Sequence, residues 1–513
     1  MRNILILSIM FCSIACKREG SLISNDDNSA EVPTGVSFYV DGARGNDKNS
    51  GRTPDSAWKT IQKSFNAALA GSTVNIKGGI YYEELSVNVS GTASNPITFT
   101  NYNNEQVVID GSKISGTNIL TVEDKSNLIF SNITVQNITK NNAMGVLVTA
   151  TKNGKAGNIT FRNMKFQKIN WTSNPATLPK DSDNAQPFVA YGYGTTQANA
   201  ITNLVIDGCE FSNNIPGFSE TVSIDGNVDG FTVTNNKVHD NSNIGIAALG
   251  HYKVSSNTAL DQARNGVIRG NTCYKNLGRY ATSGGIYVDG GLNIVVDRNI
   301  TYQNGYGIEI GHEEYGTASN ILVTNNLIYQ NQVAGVAIGG YDTAKNKIGQ
   351  VVNSTIRNNS FIKNSTDSKN GAGEIYITRA SNCKIVNNVF YTNEQNTLLT
   401  LEAIFPQTGN TIDYNNWFTT SKDADDININ WHEKSYESFA AYRTETKQDA
   451  HSFFKDPLYT SISTTAPDFH LKTGSAALRT GNAALITDPS EKDYDGKPRV
   501  TGGKVDMGAY QKQ

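Results

Sequence analysis

Apolar and polar side chains alternate over short runs along most of the chain, and the runs recur. Gly285–Asp289 reads Gly-Ile-Tyr-Val-Asp and Gly307–Gly311 reads Gly-Ile-Glu-Ile-Gly. Successive side chains of a strand point to opposite faces. Ile286, Val288, Ile308 and Ile310 therefore form one apolar set, and Tyr287, Asp289 and Glu309 form the opposite set. A second unit precedes many such strands: Asn, four residues, Asn, with apolar strand positions just before it. It occurs at Asn132/Asn137, Asn236/Asn241, Asn271/Asn276, Asn299/Asn304, Asn326/Asn331, Asn359/Asn364 and Asn388/Asn393. Constant spacing within a unit that recurs this often is the mark of a repeat architecture. Each unit holds two or three short strands and cannot bury its own apolar face, so the units must stack. The pattern predicts an all-β solenoid of parallel strands about 4.8 Å apart. Asparagine at the same corner of each coil tolerates a left-handed turn and can bond its amide to the coil above. The Asn pairs therefore read as structural ladders rather than ligand sites.

Breaks in the pattern locate the exceptions. Ser56–Leu69 is amphipathic and is expected to form a helix over the first coil. Residues 170–200, with Trp171, Pro175, Pro179 and Pro187, should form a long excursion. Residues 420–455 interrupt the repeat again, and Trp431 and Tyr436 are expected to pack over the last coils. The formal net charge is −3 and no basic block stands out, so nucleic acid is not an expected partner. Cys209, Cys273 and Cys383 are scattered through separate units without CxxC spacing, which argues against a zinc site or redox pair. Cys273 shares a column with Val238, Ile328, Phe361 and Phe390 and reads as a small core residue.

Several stretches carry a resemblance. Phe38-Tyr39-Val40-Asp41-Gly42, Ala57-Trp58-Lys59-Thr60-Ile61-Gln62 and Gly78-Gly79-Ile80-Tyr81, followed by the Asn units, resemble the right-handed parallel β-helix proteins of the pectate-lyase-like superfamily. Asp468-Phe469-His470-Leu471 and Val505-Asp506-Met507-Gly508-Ala509-Tyr510 resemble the closing coil of bacterial surface members. The resemblance covers Phe38 to the C-terminus. It implies a right-handed β-helix with an N-terminal capping helix and a polysaccharide or oligosaccharide substrate. Arg2, the apolar run Ile4–Phe11 and Ser13-Ile14-Ala15-Cys16 resemble a bacterial lipoprotein leader. That resemblance implies lipidation of Cys16, a membrane lipid anchor and, with Lys17 after the cysteine, the outer membrane. The expected organisation is a signal over 1–16, a polar tether over 17–34 and one solenoid with its caps over 35–513.

Candidate chemistry follows from the strand faces. With the Gly-Ile starts in register, Asp289 and Glu309 lie diagonally on one outer face, their Cβ atoms about 7–8 Å apart. Carboxyl oxygens carried there can approach the ~5–5.5 Å of a retaining glycosidase pair. Asp289 is expected to be the nucleophile and Glu309 the acid/base. Asp, Glu and a following His312 on successive coils resemble the β-helical β-xylosidases. His312, Arg264, Tyr287, Tyr341 and Asp342 are the expected substrate-binding residues, the last two from a long loop after the next strand. No cofactor is needed for this chemistry. Two other classes stay open. Glu220, Asp225 and Asp229 resemble acids that bind calcium in β-helical lyases, although Ser242-Asn243-Ile244-Gly245 stands where those lyases carry paired aspartates. A non-catalytic glycan-binding solenoid is the third.

Overall fold

The computed structural model describes residues 35–340, 349–402 and 407–512. Regular coils contribute strands to three sheets in the same order, and three of them add a second short strand, Thr317–Ser319, Gln350–Val352 or Ala380–Ser381, to sheet one. Sheet one begins with Ser37–Val40 and has sixteen strands; sheet two begins with Gly79–Tyr81 and sheet three with Leu85–Ser86, and each has thirteen. Neighbouring strands come from successive coils and pair in parallel, as a right-handed solenoid requires. The alternation sets which side chains turn inward. Ile286, Val288, Ile308 and Ile310 are fully buried in one continuous core. Like residues stack on like down the interior: the rings of Phe99, Phe130 and Phe161 lie 5.3 and 5.0 Å apart. Cys273 pairs in register with Val238 and is fully buried, as its column implied.

Asparagines run down two corners. Between sheets one and two, each of Asn236, Asn271, Asn299, Asn326, Asn359 and Asn388 donates its Nδ2 to the Oδ1 of the ladder residue one coil on, ending at Asn415, over 2.9–3.2 Å. Between sheets two and three the same bond links Asn214, Asn241, Asn276, Asn304, Asn331 and Asn364 over 2.8–3.2 Å. Glu374 ends this second row by accepting from Asn364 Nδ2 at 2.7 Å. Burial pushes the Glu374 carboxyl up to about 8. The left-handed conformation belongs to the residue before each ladder asparagine, such as Asn235 (φ 55°), Lys275 (φ 53°) or Gln303 (φ 56°). Asn132 and Asn137 differ: both are left-handed themselves, and Asn137 donates to Asp110. Asn393 also leaves the ladder and donates to the carbonyls of Asn364 and Ser365. The ladder explains the Gly-Ile strand starts. A Cβ on Gly285 or Gly307 would lie 2.7 Å from the amide nitrogen of Asn304 or Asn331.

The ends are closed differently. The N-terminal helix is Ile61–Ala67, shorter than expected because Thr60 caps it by accepting from Lys63 N, and Ile61, Ser64 and Phe65 face the first coils. At the other end, Asn428–Trp431 adds to sheet three, Lys434–Tyr436 turns back antiparallel, and a helix over Phe439–Thr446 buries Tyr436, Phe439 and Tyr442 against the core. Of the excursion expected over 170–200, only 171–184 leaves the coil, since Ala185–Gly192 is a regular strand of sheet three. The C-terminal stretch makes no further rung. It runs along the outside of sheet two, where Tyr459, Phe469, Leu471, Met507 and Ala509 cover Tyr329, Ile362 and Tyr391. Arg357 and Glu491 pair there at 2.6 Å, and Asn358 Nδ2 donates to the Asp506 carbonyl at 3.0 Å. Outward apolar side chains on these coils would otherwise meet water.

Asn299 accepts from both nitrogens of Asn271 and donates to Ile268 O and Asn326 Oδ1. Asn299→Ala strands the buried Asn271 N–H and is expected to cost about 2–4 kcal/mol, read as a lower midpoint in urea. Asn320→Gly, on an exposed left-handed position, is expected to stay within about 1 kcal/mol of the parent.

Candidate active site

Two columns of outward side chains run across the middle coils of sheet three. One passes through Ser223, Ala247, Tyr287, Glu309, Ala337 and Tyr376; the other passes through Tyr191, Asp225, Leu249, Asp289 and Gly311. Tyr287 pairs with Glu309, and Asp289 with Gly311. Asp289 and Glu309 therefore sit on adjacent rungs of the same outer face, in the diagonal register. Both are nonetheless buried, at 2% and 3% exposure. Loops at the corner from sheet three back to sheet one fold over the face and exclude the water a bare strand surface would meet.

Asp289 is held from two loops. The Tyr252 hydroxyl donates a short hydrogen bond to Oδ2, and His312 Nδ1 lies 2.7 Å from Oδ1. Against an ionised carboxylate Nδ1 carries the proton, which leaves Nε2 as the free ring nitrogen. Nε2 is fully buried and has no partner among the described residues. The ring of His312 is also packed edge-on by Tyr252 and His251, at 5.3 and 5.4 Å. Burial, and then His312 beside it, hold His251 below its usual range. The Tyr287 phenol reaches over Gly311, where a Cβ would lie 3.3 Å from its oxygen. Its hydroxyl is buried without a partner among the described residues. Burial pushes Tyr287 and Tyr252 well above their ordinary value, and the charges that add to it are the carboxylates of Asp289, Glu309, Glu313 and Glu220.

Two further acids share the face. Glu220 accepts from the Ser223 hydroxyl at 2.7 Å, and burial raises it to about 7, with Asp289 adding repulsion. Asp225 is raised well above the usual carboxylate range by burial, then by Glu220, Asp261 and Asp289, and its Oδ1 has no partner among the described residues. Carboxylates this close push their titrations apart, so some stay protonated while others ionise. Ile224-Asp225-Gly226 and Val288-Asp289-Gly290 are the same tripeptide pattern two coils apart. Gly226 (φ 74°) and Gly290 (φ 79°) turn the chain off the sheet directly after each acid. That repetition makes Asp225 the counterpart of Asp289 in its column. Tyr252 carried no such signal, since it belongs to a loop whose path no periodicity dictates.

The other candidate residues fall elsewhere. Arg264 is buried at the start of a sheet-one strand, paired with Asp229 at 3.2 Å, and it donates to Asn227 Oδ1 at 2.8 Å and to the carbonyls of Leu260 and Gln262. It ties the covering loop down. Asp261 instead accepts from the backbone of Lys253 and Ser255 inside that loop. Tyr341, Asp342 and Cys16 lie outside the described residues. Glu220, Asp225 and Asp229 do not converge: Gly226 and Asn227 carry the chain round the corner, which leaves Asp225 on sheet three and Asp229 on sheet one beside Arg264 and Asn265. Among the described residues no three His, Cys, Asp or Glu side chains group as a metal site. A cavity of about 870 Å³ lies away from the acids. It lies at the corner between sheets two and three, lined by Asp240, Lys275, Gln303 and Gln330 among others. Asp289 and Glu309 are carboxyl groups held in burial, whereas Asp240 and Lys275 at this corner are exposed.

Three ladder-bound sheets of parallel strands define a right-handed parallel β-helix protein. Residues 197–350 match the family described as right handed beta helix region. The chain is 32% identical over 455 residues to the uncharacterised protein YwoF of Bacillus subtilis (strain 168), covering 84% of this chain and 90% of that one. It belongs to the family of YwoF. A shorter stretch of 156 residues, 27% of this chain and 37% of the other, is 31% identical to pectate lyase PEL9 of Emericella nidulans. Among solved structures, pectate lyase Pel9A is similar with a TM-score of 0.48 at 14% identity, over 94% of this chain and 98% of that one. The GH136 lacto-N-biosidase from Eubacterium ramulus is similar with a TM-score of 0.44 at 13% identity, over 75% and 64%.

The raised acid has a measurable consequence. Glu220 binds its proton more tightly folded than unfolded, so between its ordinary value and about 7 the folded state holds the extra proton and stability falls as pH rises. Glu220→Gln removes that dependence. Its melting temperature relative to the parent is expected to climb between pH 4.5 and pH 7.5, and thermal melts across that range check it.

Proposed function

We propose that the protein is a glycoside hydrolase whose substrate lies across the outer face of sheet three. The observation that carries this reading is the diagonal placement of Asp289 and Glu309 on adjacent rungs, with Asp289 gripped by Tyr252 and His312. Glu309, as the carboxylic acid, gives its proton to the glycosidic oxygen as the bond to the anomeric carbon breaks. Asp289 attacks that carbon and forms a glycosyl ester, which water, deprotonated by Glu309, then hydrolyses. The bonds from Tyr252 and His312 fix the rotamer of Asp289. Tyr252 is the group that substrate must displace to reach it. The carboxylates around Tyr287 and Tyr252 support a neutral sugar over a polyuronate, because a uronate carboxylate there would meet like charge.

Asp289→Asn and Glu309→Gln are each expected to lower turnover by at least about a hundredfold, within the range typical of a lost acid–base group. Reducing-sugar release from a panel of plant, algal and host glycans reads this out, and parental turnover in both variants would remove the pair from the mechanism. The second reading is a β-eliminating lyase, favoured by the stretch shared with pectate lyase PEL9. Product masses separate the two, since hydrolysis adds water and elimination does not. We further propose a lipid anchor at Cys16; Cys16→Ser is expected to move the protein from the membrane fraction to the soluble one.

A further inference from the structure

The corner between sheets two and three holds a trough that the candidate active site does not use. Asp240, Lys275, Gln303 and Gln330 line it in consecutive coils. Each immediately precedes a ladder asparagine and has φ between 53° and 56°. The buried ladder thus repeats one surface position at every rung, about 4.8 Å apart. Pro175, from the excursion over 171–184, forms a wall, and Leu277 offers an apolar patch. A second cavity of about 480 Å³ shares Leu277 and Gln332 with the first and extends to Ser283. The next residue, Gly284, brings the path to the acids: a Cβ on it would lie 3.2 Å from Glu309 Oε2. The two cavities together run from the Pro175 loop to Ser283, one residue before Gly284.

We propose that this trough binds a neutral glycan chain. Side-chain amides both donate and accept, and so match sugar hydroxyls, which do the same. The one acid and one base in the row offset each other, and the Asp240 carboxylate is already engaged by His239 Nδ1 at 2.7 Å. A polyuronate would call for a row of cations, and the row offers amides instead. Repeating polar groups at rung spacing suit a repeating polymer laid along the solenoid axis. The inference rests on the carbohydrate reading above and not on the catalytic pair.

The test is affinity electrophoresis of the full chain in gels containing soluble xylan, galactan, arabinan, glucomannan or polygalacturonate. At least one neutral polymer is expected to retard the parent. Gln303→Ala/Gln330→Ala should weaken that retention about thirtyfold, the effect of losing two hydrogen bonds of about 1 kcal/mol each, with an unchanged melting temperature. Asp289→Asn should be retarded like the parent. Gln303→Trp, which fills the trough, should abolish retention. Equal retardation of the double variant and of Gln303→Trp, retardation by polygalacturonate alone, or retardation by no polymer would overturn the proposal. Lost retention in the trough variants alongside full turnover by Asp289→Asn and Glu309→Gln would instead remove the catalytic pair and leave the trough standing.

Discussion

Every other feature of this molecule depends on the hydrogen bonding of each coil to the next through backbone strands and buried side-chain amides. A single coil has no interior. Its apolar side chains are covered only because the next coil closes over them, and the register of that closure is set by bonds that repeat at every rung. The asparagine ladders are the strictest of these. An amide that both donates to and accepts from its copies above and below is satisfied only when the coils are neither slipped nor rotated. A slip by one residue would turn the apolar face of a strand to water and leave a row of buried amides without partners.

That constraint reaches the acidic face. Because the ladders hold the strand starts in line, side chains at equal distances from those starts form columns across sheet three. Asp225 and Asp289 fall in one column and Tyr287 and Glu309 in the next, brought together from separate coils without any local motif joining them. Burial then separates their behaviour. Glu220 and Asp225 rise because they are closed in among other carboxylates, whereas Asp289 has a hydroxyl and an imidazole aimed at its two oxygens. The acids of one face thus sit in unlike environments, set by which neighbours close over each.

The loops contribute in a different currency. Arg264, itself locked to Asp229 and Asn227, holds the carbonyls at the end of the loop that brings Tyr252 to Asp289. His312 arrives from the following coil. These contacts close the face in this structure, with the Tyr252 hydroxyl lying over Asp289. The acids are thus presented by the rigid solenoid, while access to them belongs to segments that the repeat does not govern.

Alternation and the spacing of asparagines were enough, as sequence, to give the solenoid, its inward residues, the fate of Cys273 and the common face of Asp289 and Glu309. All of these follow from periods of two and of one coil, which a linear pattern records directly. The burial of that face, the grip of Tyr252 and His312 on Asp289, the pairing of Arg264 with Asp229 and the separation of Asp225 from Asp229 came only with the tertiary structure. So did the path of the C-terminal stretch along sheet two in place of a closing rung. Each depends on where a non-repeating segment comes to rest against distant coils. No period along the chain encodes such a contact; it is settled by whichever buried groups and apolar surfaces remain to be satisfied once the coils have stacked.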